Sequence, residues 1–185
     1  QERVNRILNY RICDFFLSTK NTAMKNLENE DFLNNTRKIV KCGDIMKDAV
    51  VHYSKLSAEK STIISGLNLK ENEFVLATIH RQENTDDLSR LKSIFEGLEM
   101  ISKEMPVVLP LHPRTRNILK QHQLNYDLTF IDPVGYFDML ELLKNCNMVI
   151  TDSGGLQKEA FFNKKHCQDR GVIIQHRQRK TKERC

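Results

Sequence analysis

The sequence predicts a doubly wound α/β fold with a parallel sheet, and three patterns support this prediction. Strand-length apolar runs alternate with helix-length segments between residues 74 and 162. The first of these runs, residues 74–79 (FVLATI), is continuously apolar, as expected of a strand buried on both faces. Residues 88–104 repeat apolar side chains at spacings of three and four, which indicates an amphipathic helix. Alternation of this kind builds βαβ units, whose strands lie parallel in one sheet.

The N-terminal quarter of the chain is predicted to be mostly helical. Residues 3–16 place apolar side chains at helical spacing, and a second short helix is expected at residues 22–29. Residues 38–41 (KIVK) form a short predicted strand. Asp44 is then expected to cap a helix that continues through Leu56. The polar stretch that follows, residues 57–73, is predicted to be a connection.

The rest of the chain repeats a strand and a helix in turn. Each strand is short and apolar, and each helix carries its apolar side chains on one face. The strands are predicted at residues 74–79, 107–111, 128–131 and 148–151, and the helices at 88–104, 114–121, 137–143 and 155–162.

Composition narrows the class of protein. A chain of 185 residues with 39% hydrophobic and 29% charged residues is typical of a soluble globular domain with a real core. It contains no run of about 18 apolar residues and no N-terminal pattern of a signal peptide, so we expect no membrane span and a cytoplasmic location. Five widely spaced cysteines without a CxxC pair favour reduced thiols over disulfides or a zinc site.

The net charge of +5 is concentrated at the C-terminus. Residues 170–185 carry six basic residues and one acidic residue, and the remainder of the chain is neutral. A neutral domain has no electrostatic footprint for nucleic acid, so we expect no nucleic-acid partner. Binding of RNA or an acidic surface by this tail is the alternative that the charge leaves open.

Polar residues follow three of the predicted strands at the edge where ligands bind in open α/β sheets. His80 and Arg81 follow the first strand and His112 the second, while the strand at 148–151 runs into Asp152-Ser153-Gly154-Gly155. Arginine offers forked hydrogen-bond donors and histidine a switchable one, so these groups suit a diphosphate. No third ligand lies at metal-binding spacing from a histidine, so we expect no metal.

The Ser-Gly-Gly turn is the most informative of these strand ends. It opens a predicted helix, whose first N–H groups attract phosphate, and glycine lets the phosphate approach the backbone closely. Glu159, about one turn into that helix, could bind a ribose hydroxyl pair. The alternative is that Ser153 is only an N-cap and the glycines only a tight turn. The turn matches neither a Walker loop nor GxGxxG.

Four ordered motifs resemble the non-hydrolysing UDP-N-acetylglucosamine 2-epimerase family. They are ATIHRQEN, VVLPLHPRTRNIL, IDPVGY and TDSGGLQKEAFF, and the N-terminal segment is similar to that family's linking segment. The resemblance covers roughly residues 2–165. It implies two Rossmann-like domains in a glycosyltransferase-B-like arrangement. Residues 1–36 would then be linking helices, residues 37–165 the UDP-binding domain and residues 166–185 an aberrant basic tail.

The resemblance also implies an activity and a set of site residues. The reaction interconverts UDP-N-acetylglucosamine and UDP-N-acetylmannosamine by proton abstraction at C2, elimination of UDP and re-addition, without a cofactor. It serves cell-surface polysaccharide biosynthesis, and the full-length family is expected to be homodimeric. The implied catalytic residues are Glu2, His80, Arg81 and Glu83, and the implied substrate-binding residues are His112, Tyr136, Ser153, Gly154, Gly155 and Glu159.

Departures from the family pattern leave alternatives open. Lys158 replaces the first Glu of a Gln-Glu-Glu stretch, which resembles members that act on diacetamido-uronic acid nucleotides. We expect the family's first domain to be absent, and residues 166–185 depart from the family, as a shifted reading frame would produce. We therefore expect a segment truncated at both ends and inactive alone. The alternatives are a non-catalytic UDP-sugar-binding remnant, a glycosyltransferase, a hydrolysing epimerase, or a partly folded gene piece that binds nothing.

Overall fold

A computed structural model describes residues 2–29 and 38–168, and these residues form two compact units. The first unit ends at Ala49 and the second begins at Val50. The sequence predicts a domain boundary between residues 36 and 37, before the strand KIVK. The two compact units divide after that strand. Residues 169–185, most of the predicted basic tail, lie outside the described residues.

The first unit is built around a small parallel sheet. It contains helix α1 (Glu2–Ile12), strand β1 (Phe15–Ser18), helix α2 (Asn21–Asn29) and strand β2 (Lys38–Lys41), with β1 and β2 paired from Phe15↔Lys38 to Ser18↔Lys41. The strand at 38–41 and the helix near 22–29 are confirmed. The helix predicted over residues 3–16 is wrong at its C-terminal end, because Phe15 and Phe16 belong to β1.

Helix α3 (Ile45–Lys60) runs from one unit into the other. Its predicted start is confirmed, since Asp44 Oδ1 accepts a hydrogen bond of 3.1 Å from Met46 N. The predicted connection over residues 57–73 is wrong in part, because α3 continues to Lys60 and a one-turn helix, α4 (Ile63–Gly66), follows. Ser57 shows why this segment is helical despite its polarity, because its hydroxyl is buried against Glu141.

The second unit alternates strands and helices as the sequence predicts. Its strands are β3 (Val75–Thr78), β4 (Val107–Pro110), β5 (Thr129–Ile131), β6 (Met148–Thr151) and β7 (His166–Gln168). Its remaining helices are α5 (Gln82–Thr85), α6 (Leu88–Ser102), α7 (Pro113–Gln121), α8 (Tyr136–Asn145) and α9 (Gly154–Phe162). The one-turn helix α5 and the short strand β7 were not predicted, and β7 falls where the sequence was expected to depart from the family.

All strand pairs of the second unit are parallel, in the order β5-β4-β3-β6-β7. The predicted α/β fold with a parallel sheet is therefore confirmed. The chain moves from β3 outward to β5, then crosses back through α8 and places β6 on the other side of β3. This reversal leaves a crevice between the carboxyl ends of β3 and β6, the usual ligand site of such sheets.

The core of the second unit forms two layers, one on each face of the sheet. Leu91, Phe95 and Leu98 of α6 pack on one face, and Leu142 and Leu143 of α8 pack on the other; all five side chains are fully buried. The central strand β3 is buried along its whole length because both of its faces are covered, as the run FVLATI predicts.

The cysteines of the described residues form no disulfide. Cys13 and Cys42 are exposed, Cys167 is intermediate, and Cys146 is buried after α8. Burial raises the pKa of the Cys146 thiol to about 11, so this side chain serves as a small apolar group rather than a nucleophile. Among residues 2–29 and 38–168, no helix is long and apolar enough to cross a bilayer.

Candidate functional site

The loops that follow β3 and β6 begin side by side. The two strands pair in register up to Thr78 and Thr151, whose buried hydroxyl oxygens lie 2.6 Å apart, within hydrogen-bonding distance. His80 follows Thr78 by two residues and Ser153 follows Thr151 by two. The structure therefore brings two of the predicted strand ends together at the point where the strand order reverses.

Asp152 connects these two loops directly. Its carboxylate accepts hydrogen bonds from His80 N at 3.0 Å, from Arg81 N at 3.0 Å and from Asn84 Nδ2 at 2.6 Å. Asp152 is only 4% exposed and Asn84 is fully buried, so solvent hardly competes for these bonds. The carboxylate from the β6 end thus fixes the backbone of the loop after β3.

The Ser-Gly-Gly turn begins α9, as the sequence predicts. Ser153 is the N-cap, with its Oγ 3.5 Å from Leu156 N, and its own N–H donates to Thr151 Oγ1 at 3.0 Å. Gly154 and Gly155 are exposed, and the N–H groups of a first helical turn have no acceptor within the helix. A Cβ added to Gly154 would meet nothing within 4 Å, so the space above this turn is open. The turn presents N–H dipoles to solvent, where an anion can bind.

The basic side chains beside this turn are exposed. Arg81 lies 3.5 Å from Glu83, measured from Nη1 to Oε1, and both side chains are about half exposed. His80 is also exposed, although its backbone N–H is held by Asp152. Weak pairing of Arg81 at the surface leaves its guanidinium available to an anionic ligand.

His112 lies at the end of β4, one strand further from the turn than His80. Its Nδ1 accepts a hydrogen bond of 3.2 Å from Arg114 N, so His112 caps α7. Arg114 in turn pairs with Asp86 at 2.7 Å, which ties α7 to the loop after α5. His112 and Arg114 therefore have structural partners, and only Nδ1 of the imidazole is used by the cap.

Glu159 of α9 and Tyr136 of α8 are in contact. The Tyr136 hydroxyl donates to Glu159 Oε1 at 3.4 Å, and the Tyr136 ring packs edge-on against Tyr53 of α3 at 5.8 Å between centroids. Partial burial raises the pKa of Glu159, and the hydrogen bond from Tyr136 opposes this effect without cancelling it. Burial, and then the nearby Glu159 carboxylate, raise the pKa of Tyr136. A carboxylate beside an exposed ring matches what a ribose and a base require.

Two further predictions concern the role of Glu2 and the absence of a metal. Glu2 begins α1 in the first unit, and its side chain lies outside the described part of the chain. Within residues 2–29 and 38–168, no three His, Cys, Asp or Glu side chains converge as a metal site would require.

Sequence reasoning missed the residues that hold the site together. In the sequence, Asp152 stands out only as the residue before Ser153, and Asn84 only as the last residue of the motif ATIHRQEN. Their contact joins loops 68 positions apart in the sequence, so no local pattern reveals it. Thr78 and Thr151, polar residues at the ends of otherwise apolar strands, were the signal that could have identified the joined edge.

Comparison with known proteins places the chain among sugar-nucleotide enzymes. The family described as UDP-N-acetylglucosamine 2-epimerase matches residues 1–181, further than the resemblance visible in the motifs, which ended near Lys165. A UDP-2,3-diacetamido-2,3-dideoxy-D-glucuronate 2-epimerase of Pseudomonas aeruginosa is 46% identical over 167 residues, covering 90% of this chain and 46% of that protein. A UDP-N-acetylglucosamine 2-epimerase homolog of Methanococcus maripaludis is 38% identical, covering 90% of this chain and 47% of its own length.

Solved structures give the same result. The Methanocaldococcus jannaschii UDP-GlcNAc 2-epimerase, crystallised with UDP-GlcNAc and UDP, superimposes with a TM-score of 0.75 at 32% identity. That match covers 91% of this chain and 48% of the other. The chain thus spans about half the length of the relatives it matches.

Proposed function

Because the chain belongs to the UDP-N-acetylglucosamine 2-epimerase family, we propose that its β3–β6 crevice binds the UDP part of a UDP-linked acetamido sugar. One observation carries this proposal. The open N-terminal turn of α9 lies against the loop that bears His80 and Arg81, and a buried carboxylate locks the two loops together. We expect the N–H dipoles of the turn and the side chains of His80 and Arg81 to face the same crevice, as a diphosphate requires.

The diphosphate would bind at the turn Ser153-Gly154-Gly155. Its oxygens would accept hydrogen bonds from the first N–H groups of α9, where the helix dipole also favours negative charge. His80 and Arg81 would contact the same group from the β3 side, and His112 would lie at the outer end of this row. The open space above Gly154 supports this placement, because a phosphate needs close approach to the backbone.

The uridine would extend from the diphosphate towards α8. Glu159 would accept hydrogen bonds from the two ribose hydroxyls, and a carboxylate in this role is common in nucleotide-binding folds. Tyr136, 41% exposed at the start of α8, would border the uracil. The contact between Tyr136 and Glu159 supports this arrangement, because it places the ring next to the proposed ribose site.

For the whole protein we propose epimerisation at C2 of the sugar. Removal of the C2 proton supplies the electrons for a C1–C2 double bond while the C1–O bond breaks and UDP departs. UDP then re-forms the C1–O bond on its original face while a proton adds to C2 from the opposite face, so that only C2 is inverted. Donors at the β3–β6 crevice would stabilise the charge that accumulates on the departing diphosphate. His80, Arg81 and Glu83 are the proposed reacting groups of the second unit, and Glu2 remains a predicted acid or base of the first.

A diacetamido-uronic acid nucleotide is the second candidate substrate. The 46% identity with the Pseudomonas aeruginosa enzyme favours it, as does Lys158, a cation one residue before Glu159. Product analysis of the full-length protein with each of the two UDP-sugars separates the candidates. The same assay detects a hydrolysing epimerase, which would release a free sugar, and a non-catalytic remnant, which would bind UDP without turnover.

The proposal is tested first by titrating this chain with UDP in a calorimeter. We expect wild type to bind UDP with a dissociation constant in the micromolar to millimolar range. Ser153→Ala combined with Glu159→Ala should weaken binding about 100-fold, because it removes a phosphate contact and a charged ribose contact, each worth roughly tenfold.

The matched control is Ser65→Ala combined with Glu73→Ala. Ser65 is exposed in α4 and Glu73 is exposed before β3, at the opposite edge of the sheet from the crevice. This variant removes the same two kinds of group and should bind UDP as wild type does. Failure of the folded wild-type chain to bind UDP would refute the proposed nucleotide site, as would equal binding by both double variants.

A further inference from the structure

We infer that Asp152 is a positioning residue that sets the affinity of the crevice for a nucleoside diphosphate by holding the loop of His80 and Arg81 in place. The inference rests on the proposed function, because it assigns a role within the same site. Asp152 need not contact the nucleotide itself. It acts through the backbone on which two of the proposed ligand-binding side chains are carried.

The hydrogen bonds of Asp152 are the basis of this inference. One carboxylate accepts three N–H groups from three residues of the loop after β3, at 3.0, 3.0 and 2.6 Å. Two of the donors are the backbone amides of His80 and Arg81, so the two consecutive peptide planes that flank the His80 Cα are both held. The third donor, the buried side-chain amide of Asn84, anchors the short helix α5.

The position of Asp152 in the chain explains why these bonds affect ligand binding. It directly precedes Ser153, the N-cap of α9, so any shift of its carboxylate is shared with the phosphate-binding turn. The backbone amides of His80 and Arg81 are already donated to Asp152 and are not offered to a ligand. The loop therefore contributes its side chains, and Asp152 fixes the spacing of these side chains from the turn.

A carboxylate is better suited to this position than an amide of the same shape. Both oxygens of Asp152 accept, since His80 N lies 3.0 Å from Oδ1 and 3.2 Å from Oδ2, and Arg81 N lies 3.0 Å from Oδ2. Asparagine would offer one acceptor and direct an NH₂ group at a donor, which leaves a buried N–H without a partner. Asp152→Asn should consequently release the loop while leaving the strands intact.

The test combines amide hydrogen exchange, followed by NMR, with UDP titration. In Asp152→Asn we expect the His80 and Arg81 amides to lose protection, while Val108 and Leu109 in the buried strand β4 keep theirs. UDP should bind about 10-fold or more weakly, as loss of a hydrogen bond to a charged group implies. Asn84→Ala, a milder change, should shift both measurements in the same direction. Asp127→Asn removes the same charge from an exposed residue before β5 and should alter neither.

A double-mutant cycle separates positioning from general weakening. If Asp152 acts through His80, then Asp152→Asn should cost much less UDP affinity in a His80→Ala background than in wild type. The same change in a Glu159→Ala background should cost nearly its full amount, because Glu159 lies on α9 and has no bond to the loop.

Each remaining outcome counts against a specific claim. Additive effects of Asp152→Asn and His80→Ala would overturn the inference, as would a folded Asp152→Asn chain that binds UDP within about twofold of wild type. A wild-type chain that binds no UDP would overturn the proposed function and this role with it. Unprotected His80 and Arg81 amides in ligand-free wild type would instead show that the hydrogen bonds are absent.

Discussion

At the scale of single residues, the environment of Glu159 shows two opposing effects on one carboxyl group. Burial favours its neutral form and raises its pKa, and the hydrogen bond from Tyr136 favours its charged form and lowers it; burial is the larger effect. A ribose that replaced the surrounding water with hydroxyl donors would favour the charged form further. The charged form of Glu159 is thus disfavoured in the free protein, and the proposed ligand would stabilise it.

The raised pKa of Glu159 predicts that the stability of the chain depends on pH. A carboxyl group whose folded-state pKa is raised binds its proton more tightly in the folded chain, so the free energy of unfolding falls as the pH rises above about 4.5 and through the folded-state pKa. The Glu159→Gln side chain does not titrate, so this variant does not lose stability in that way. We therefore expect Glu159→Gln to gain stability relative to wild type as the pH rises. Thermal unfolding of both chains between about pH 4 and about pH 8 measures this difference. Parallel curves would contradict the assignment.

The residue scale also shows where prediction from sequence succeeds and where it stops. Ser153 and the glycines were identified because a strand, a turn and a helix N-terminus follow one another along the chain, so their chemistry is local. Asp152 was not identified as a support, because its partners come from another strand and become neighbours only once β3 and β6 pair.

At the scale of elements, a buried polar cluster joins α3 to α8. Glu141 accepts hydrogen bonds from the Ser57 hydroxyl at 2.6 Å and from Lys144 Nζ at 2.7 Å, and Lys144 also donates to the Ser54 carbonyl at 3.0 Å. Ser57 is fully buried and Glu141 is 8% exposed. The polarity of residues 57–60 suggested a loop, but their hydroxyl and charged groups are satisfied by the neighbouring helix.

Removal of Glu141 should therefore be costly. Glu141→Ala removes the carboxylate acceptor of the buried Ser57 hydroxyl and of the Lys144 ammonium, which are left to share the Ser54 carbonyl. We expect a loss of about 1–3 kcal/mol in the free energy of unfolding. Alanine favours helix, so the loss would not come from helix propensity. The measurement is denaturant unfolding of the whole chain.

Glu73→Ala is the matched control for this cluster. It removes the same side chain from an exposed pair with Lys70, whose atoms lie 3.6 Å apart, and should change stability by no more than about 0.5 kcal/mol. Equal losses in the two variants would show that burial of Glu141 contributes nothing.

Elements were predicted best where periodicity and burial agree. The run FVLATI and the helix at residues 88–104 were located to within two residues, because each is dictated by the face that it buries. The helix expected over residues 3–16 extended too far, because Phe15 and Phe16 continue the helical spacing and yet pair with β2. Tertiary pairing outweighed local periodicity there. The strand β7 was not predicted because its sequence, HCQ, lacks the apolar run that marks the other strands of this sheet.

At the scale of the whole molecule, the two units differ in how much apolar surface they bury. Among the described residues of the first unit, Phe16 is the buried hydrophobic side chain, while Phe15 and Leu17 on the same strand are 67% and 72% exposed. The second unit buries side chains on both faces of a five-stranded sheet. Since apolar burial is the main favourable term in folding, stability should be concentrated in the second unit.

Native-state hydrogen exchange measures this difference directly. We expect the amides of β3, β4 and β6 to exchange with the free energy of global unfolding, and those of β1 and β2 to exchange through openings of lower free energy. The reason is that a two-stranded sheet with one exposed apolar face has little burial to lose on opening. Leu76→Ala, in the fully buried centre of β3, should then lower the protection of β3, β4 and β6 together by about 2–5 kcal/mol and leave β1 and β2 unchanged. Uniform protection across both units, or an equal response of β1 to Leu76→Ala, would mean that the chain unfolds as one cooperative body and that the first unit is stabilised by more than its own burial.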